Sequence, residues 1–365
     1  MRCSFCDKSL KKKKIGLPLF NHFNNELIKD KNAYEVYECK YCNLIQKKKL
    51  NTLYKKLFRK NYQIKRVLPS FKKKTIYEIT LKKIFEKKKI LLDYGSTNYL
   101  NAKKFLENNP VIKNKRIYFF DKYLKIKKNI TYNVNSNKII VLKELRKINF
   151  DYILMQNCIM YEKDLKKFLI DLNFLIHRNT TIEIYVPSIE NPYQFLYGDN
   201  YNYFSSFFLK SFFLHKSFMC IKKNNSIVPF SYNFLYTYNS NNKNNFDFTK
   251  TKKIYLRNLI IFLQKKKNEV ENYFKKYKNK SEIYIFGSRA NAFFIFYLIK
   301  PFFKKIYLLD EKINFSSEFL KKFNVVTPGN KVLNKQIPVI LNYGINNYLF
   351  KKKLIKYDFK NFILF

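Results

Sequence analysis

Ile90-Leu91-Leu92-Asp93-Tyr94-Gly95-Ser96-Thr97-Asn98 is an apolar run that stops at a glycine and small polar residues, with a helical pattern behind it. A short apolar run bounded by a turn signal reads as a buried strand. A glycine where such a strand hands over to a helix lets backbone N–H groups approach a ligand closely. Beyond this point the same alternation continues, with strands expected at 90–93, 117–120, 139–142, 152–155 and 182–186 and helical patterns between them. Short buried strands alternating with helices specify an α/β fold with a parallel sheet.

The second strand of that series, Arg116-Ile117-Tyr118-Phe119-Phe120-Asp121, ends in an acid. A carboxylate there can accept hydrogen bonds from both hydroxyls of a ribose, so Gly95 and Asp121 in this order point to a nucleoside-containing cofactor. The plainer alternative is that Gly95 only permits a tight turn and Asp121 caps a helix. After the first series comes an Asn-dense stretch, 238–252, that reads as a linker, then an amphipathic helix over 254–275. A second, smaller α/β alternation follows, with strands at 283–286, 306–309, 339–342 and 362–365. The resulting division is a cysteine-bearing module over 1–50, a lysine-rich helical connection over 51–85, a first α/β domain over 86–237, the linker, and a C-terminal α/β domain over 253–365.

Hydrophobic residues make up 47% of the 365 positions, enough for buried cores. Lysines interrupt every long apolar run, so no segment reaches the roughly 20 residues of a membrane span. The opening Met1-Arg2-Cys3-Ser4-Phe5-Cys6 lacks the apolar core of a signal peptide, which makes the cytoplasm the expected location. The net charge of +47 suggests attraction to polyanions. Abundant Lys, Asn, Ile, Phe and Tyr beside 6 glycines and no Trp, however, is the pattern of a chain rich in A- and T-rich codons. The lysines also spread along the whole chain rather than along one face, so nucleic acid is expected as a nonspecific partner only.

Cys3-Ser4-Phe5-Cys6 and Cys39-Lys40-Tyr41-Cys42 form two Cys-x-x-Cys pairs. Each pair presents two sulfurs from one turn, and two turns complete the four-thiolate tetrahedron that structural zinc prefers. Cys3, Cys6, Cys39 and Cys42 are therefore the expected ligands of one Zn2+. Disulfides and unliganded thiols are the alternatives; a reducing compartment disfavours the first and the paired spacing the second. Cys158 and Cys220 sit in apolar surroundings and read as core residues.

Taken together, these segments resemble the zinc-containing sugar C-methyltransferases, over nearly the full length. Cys39-Lys40-Tyr41-Cys42-Asn43-Leu44-Ile45-Gln46 is similar to that family's C-x-x-C-G-L-x-Q knuckle, and Asp93-Tyr94-Gly95-Ser96-Thr97-Asn98-Tyr99-Leu100 to its cofactor loop, one residue shorter and lacking a second glycine. Ile182-Glu183-Ile184-Tyr185-Val186-Pro187 looks like the family's fifth strand. In the C-terminal half, Ile285-Phe286-Gly287-Ser288, Asp310 and Thr327-Pro328-Gly329 look like the corresponding landmarks. The resemblance implies a Rossmann-like methyltransferase domain that binds S-adenosylmethionine through Asp93, Gly95, Ser96 and Asp121. It also implies methylation of a carbon on a nucleotide-linked keto-deoxysugar.

The family's histidine-bearing signature is represented here by Tyr197-Gly198-Asp199-Asn200-Tyr201-Asn202-Tyr203-Phe204-Ser205, in which both histidines are replaced. Only His22, His177 and His215 exist in the chain, and His177 and His215 read as capping or packing residues. Carbon methylation beside a carbonyl needs a base to remove the α-proton and donors for the resulting oxyanion. Asp199 is the one carboxylate in the stretch, with Tyr197 and Tyr203 as donor or relay; between Gly198 and Asn200 it also fits an exposed turn. A relative that only binds a ligand or partner, and a basic zinc protein that binds nucleic acid, remain as rival functions.

Overall fold

Three short strands surround the paired cysteines: β1 (Leu10–Ile15), β2 (Tyr34–Cys39) and β3 (Ile45–Lys47). The computed structural model describes residues 2–15, 20–23, 26–29, 34–47, 70–71, 74–96, 99–122, 124, 126–187, 189, 196, 200–212, 218–225, 231–238, 255–275, 280–288, 290–311, 317–343 and 346–365. Its internal contacts form two units. One comprises Met1–Lys14, Glu35–Asn191 and Asn200–Lys253; the other comprises Ile15–Tyr34, Pro192–Asp199 and Ile254–Phe365.

The first unit continues with α1 (Ile76–Phe85), β4 (Ile90–Tyr94), α2 (Tyr99–Glu107), β5 (Arg116–Phe120), β6 (Ile130–Val134), β7 (Asn137–Leu142) and β8 (Tyr152–Gln156). It then runs through α3 (Leu165–Asn173), β9 (Thr181–Pro187), β10 (Asn202–Tyr203), α4 (Ser206–Ser211), β11 (Phe218–Asn225) and β12 (Ser231–Tyr238). Eight of these strands form one sheet in the order β6-β7-β5-β4-β8-β9-β12-β11. The five expected strands are its parallel centre, β7-β5-β4-β8-β9. The fold is a Rossmann-like α/β sheet, with a second, smaller α/β sheet in the other unit.

Side chains alternate between the two faces, as a period of two requires. Leu91, Leu154 and Tyr185 pack on one side with Tyr77, Leu81, Ala102 and Phe105 from α1 and α2. Leu92, Ile153, Met155 and Ile184 pack on the other with Leu165, Phe168 and Leu172 from α3. Helices on both faces explain why the central strands read as nearly unbroken apolar runs.

Several elements depart from the sequence reading. β6, β11 and β12 pair antiparallel at the sheet's two ends and carry too much Asn, Lys and Thr to stand out as apolar runs. The stretch 51–85 is expected to be helical with an interruption near Pro69; within its described part, Ser70–Phe71 pairs with Lys74–Thr75 just after that proline, and α1 starts at Ile76. Most of the proposed linker lies outside the described residues, Tyr238 being the last residue of β12. Glu183 explains how β12 is held. Its buried carboxylate accepts from Tyr152 Oη at 2.6 Å, Tyr185 Oη at 3.1 Å and Asn233 Nδ2 at 3.0 Å, tying β8, β9 and β12 together.

The second unit contains α5 (Tyr255–Lys275), β13 (Lys280–Phe286), α6 (Ala290–Ile299), β14 (Phe303–Leu309), α7 (Ser317–Phe323), β15 (Val325–Val326), β16 (Val339–Leu341), α8 (Asn347–Ile355) and β17 (Phe362–Leu364). Its sheet runs β15-β14-β13-β16-β17, all parallel.

Candidate metal and cofactor sites

The two cysteine turns are built alike. The carbonyl of Cys3 accepts from the N–H of Asp7 at 3.1 Å, and that of Cys39 accepts from the N–H of Asn43 at 2.9 Å. The N–H of Cys3 donates to the Lys8 carbonyl and that of Cys39 to the Leu44 carbonyl, both at 2.9 Å. Asp7 and Asn43 each adopt a left-handed backbone, φ 59° and 58°, a conformation that Asp and Asn tolerate better than other side chains. That is why Asn43 can stand where the knuckle it resembles has glycine.

These turns converge four thiols. Sγ of Cys3 lies 3.7 Å from that of Cys42, Sγ of Cys6 lies 3.4 Å from that of Cys39, and all four fall within 4.8 Å of one another. A zinc–sulfur bond of about 2.3 Å places tetrahedral sulfurs about 3.8 Å apart, so the donor set fits one Zn2+. None of the six cysteines is in a disulfide. Hydrogen bonding within the cluster splits the thiols. Cys39 holds Cys3 up and Cys3 holds Cys42 up, while Cys3 pushes Cys6 and Cys39 down.

The cluster is embedded in the first unit. Cys3, Cys39, Cys42 and Leu44 belong to the same buried core as Leu92, Phe168, Phe204 and Phe212. Phe5, inside the first Cys-x-x-Cys, stacks on Phe212 and meets Phe208 edge-on at 4.8 Å. Gln46 is the polar counterpart of that apolar contact. It is 2% exposed, its Oε1 accepts from the Ser4 N–H at 3.0 Å, and its Nε2 donates to the Ser4 hydroxyl and to Asn202 Oδ1. Asn202 in turn donates to the Glu162 carbonyl. The sequence motif included Gln46 without a role, because its side-chain partners Ser4 and Asn202 lie 42 and 156 positions away along the chain. Replacing Gln46 with Ala strands the Ser4 N–H in the first knuckle and Asn202 Oδ1 in β10, and should cost about 1–3 kcal/mol. Urea unfolding at constant slope measures this, and a shift below about 0.5 kcal/mol would remove Gln46 from the scaffold.

The second candidate site lies at the carboxyl ends of β4, β5 and β8. From β4 the chain moves out to β5 and β7, then crosses back to β8, so a crevice opens between β4 and β8 at this topological switch point. Gly95 turns there with φ +71°, its N–H donating to the Phe120 carbonyl at 2.7 Å. A Cβ on Gly95 would overlap Cβ of Cys158, so both the backbone angle and the close approach require glycine. Cys158 is a core residue, as its sequence context suggests.

Ser96 and Asp121 are buried on neighbouring connections at this edge. Asp93 is fully buried on the opposite face, where it accepts from Tyr77 Oη at 2.8 Å. The desolvated Tyr77 phenol beside this carboxylate is held well above its ordinary range. Asp93 thus anchors the strand end beneath the turn.

One group at this edge went unnoticed in the sequence. Glu162 follows β8, is buried, and pairs with Lys122, the neighbour of Asp121. Their ion pair joins the connections after β5 and β8 and so spans the end of β4. Burial pushes the Glu162 carboxyl up, against the opposing pull of the Lys122 ammonium. Tyr94, also buried, is raised by desolvation and by the nearby Glu162, Cys158 and Asp121.

Of the expected catalytic residues, Tyr203 is buried in β10, which pairs with β3 opposite Ile45. Tyr197 and Asp199 lie outside the described residues, as does His215. His177 sits in the turn between α3 and β9, at the amino end of the sheet, where its Nδ1 accepts from the Asn179 N–H. That is the packing position expected for it, remote in topology from the carboxyl-end crevice. Among the described residues no helix is long and apolar enough to cross a membrane.

No family model matches the chain, and no curated protein matches it. Among solved structures it is similar to the magnesium protoporphyrin IX methyltransferase of Synechocystis PCC 6803, at 8% identity over 45% of this chain and 84% of that one, TM-score 0.31. A riboflavin-derivative dimethyltransferase of Streptomyces davawensis gives 7% identity over 45% of this chain and 53% of that one, TM-score 0.34. The plantazolicin methyltransferase gives 14% over 45% and 81%, TM-score 0.31. At such identities and scores the likeness says nothing about substrate.

Proposed function

We propose that the chain is an S-adenosylmethionine-dependent methyltransferase that methylates a carbon of a nucleotide-linked keto-deoxysugar and is scaffolded by one structural Zn2+. The reading rests chiefly on one observation: Gly95 turns at the sheet's switch point with Asp121 on the adjacent strand end, in a parallel centre followed by an inserted antiparallel β12. Asp121 would hold the ribose hydroxyls, the turn of Gly95 and Ser96 would line the crevice, and Asp93 would support it from below through Tyr77. The bound cofactor supplies an electrophilic methyl group. The chain's own residues must align the acceptor carbon with it and take up the acceptor's α-proton. The sugar substrate comes from the resemblance of the cysteine knuckle and strand motifs.

Asp199, with Tyr197 and Tyr203, is our proposed proton-abstracting group. Glu162 is a second reading, favoured by its burial at the cofactor edge and its raised carboxyl. Calorimetry tests the cofactor assignment. Asp121→Ala removes charge-assisted hydrogen bonds worth about 1.5–3 kcal/mol each and should weaken S-adenosylmethionine binding about tenfold or more. Wild-type protein that binds none at millimolar concentration would overturn the proposal.

A further inference from the structure

The first cysteine knuckle, β10 and the connection after β8 form one continuous hydrogen-bonded structure within the first unit. β10 lies between the other two. On one side Asn202 pairs with Gln46 and Tyr203 with Ile45 of β3, and the Lys47 N–H donates to the Tyr201 carbonyl at 2.8 Å. On the other side the Tyr201 N–H donates to the Met160 carbonyl at 2.9 Å, and Asn202 Nδ2 donates to the Glu162 carbonyl. The connection itself starts at Cys158, packed on Gly95, and tightens through a 3-10 turn over Ile159–Tyr161. Further on, the Lys166 N–H in α3 donates to the Ser4 carbonyl at 2.9 Å. Residues 160, 162 and 166 are thus held by β10 and by the first knuckle.

The two side-chain amides in this structure can point only one way. A backbone N–H can only donate and a carbonyl can only accept. The Ser4 N–H therefore requires Oε1 of Gln46, at 3.0 Å, which turns Nε2 toward Asn202. Oδ1 of Asn202 accepts from that Nε2 at 2.9 Å, which turns Nδ2 toward the Glu162 carbonyl. Gln46 and Asn202 are both buried, so a broken link here is not made good by bulk water. Glu162 in turn pairs through its carboxylate with Lys122, the neighbour of Asp121.

We infer that Gln46 and Asn202 are positioning residues for the cofactor crevice: through the Glu162 carbonyl they fix the Glu162–Lys122 ion pair beside Asp121. Ser4 stands between two of the expected zinc ligands, so the cysteine cluster anchors the far end of the same line. The effect on cofactor binding rests on the S-adenosylmethionine assignment of the crevice, and the effect on the ion pair does not. Glu162 faces Lys122 and Asp121 from the connection after β5, Tyr94 from β4 and Asp171 from α3. Burial raises its carboxyl, and Lys122 opposes that rise. Displacing the Glu162 backbone lengthens the ion pair, and the attraction falls with distance, so the carboxyl then titrates higher. The connection that carries Asp121 loses its tie to the end of β8 at the same time.

NMR titration of the full-length protein with isotope-labelled glutamate carboxyls reads the ion pair directly, and Glu162→Gln assigns its signal. Gln46→Met keeps the length of the side chain without its amide and adds no charge. The Glu162 carboxyl should then titrate at higher pH than in wild type. Asn202→Ala, which leaves both cysteine turns untouched, should do the same. Calorimetry should find S-adenosylmethionine binding about threefold or more weaker in both variants. In a Lys122→Met background, Gln46→Met should cost no further affinity, because the pair through which it acts is gone. A Glu162 midpoint that is unchanged or lower in both variants, or an equal loss of affinity in both backgrounds, would overturn the positioning role. Wild type that binds no S-adenosylmethionine would overturn the cofactor assignment instead. The Glu162 midpoint would then decide by itself whether the line of amides sets the ion pair.

Discussion

Protein stripped of zinc, or carrying Cys42→Ser, is expected to lose the fold of the whole first unit rather than of a detachable N-terminal module. Cys3, Cys39 and Cys42 share a core with the central strands, and Phe5 fills the space against Phe208 and Phe212. The Ser4 carbonyl also accepts from the Lys166 N–H at the start of α3. A structural zinc site contributes about 10–16 kcal/mol in small peptides, comparable to the entire stability of about 5–15 kcal/mol of an ordinary domain. Removing the ion leaves four crowded thiols, three of them buried, with no cation to hold them. Metal analysis should find one zinc per chain in protein purified without chelator. Hydrogen exchange should then show β4, β8 and β9 losing protection when the metal is removed. Unchanged protection in zinc-free protein would show that the cluster is dispensable to the sheet.

The second large effect concerns the proton. With no histidine at the signature stretch, Asp199→Asn should lower turnover of a keto-sugar nucleotide by about 100-fold or more, the usual contribution of a positioned base. S-adenosylmethionine affinity should stay the same, because the proposed cofactor contacts are Gly95, Ser96 and Asp121 and not Asp199. Glu162→Gln supplies the discriminating comparison. If the loss appears there instead, the base is the buried carboxylate at the end of β8. The pH profile separates the two independently, since a base acts only when ionised. Burial raises Glu162, so activity depending on it falls away as pH drops through a value above the ordinary carboxylate range. An unperturbed aspartate, with a pKa near 4, would keep its activity to lower pH. Solvent exchange of the α-proton measured without cofactor reports the same step directly. Full activity and exchange in both variants would remove both carboxylates from the mechanism.

Among described residues, the sequence alone determined whatever depends on neighbours in the chain. The central strands were legible because burial on both faces demands continuous apolar runs, and β4 ends beside the glycine that marks its turn. Both cysteine knuckles were legible because a Cys-x-x-Cys turn presents its sulfurs through local hydrogen bonds, from Cys3 to Asp7 and from Cys39 to Asn43. α5 was legible from its helical periodicity. What tertiary structure decided depends on residues far apart. β6 and β11 are the sheet's edge strands and β12 is inserted antiparallel between β9 and β11; all three place polar residues beside apolar ones, so no unbroken apolar run announced them. Gln46 and Glu183 gained their roles from partners as many as 156 and 50 positions away. Glu162 became chemically distinctive only when folding removed it from water and set Lys122 beside it. Gly95, Asp121, Gly287 and Asp310 were all named in the sequence, but only the fold showed that the two glycines share a strand order and a positive φ. Strand order and backbone angle recur there while most side chains differ, and a parallel sheet constrains the course of the backbone more tightly than the identity of the residues that follow it.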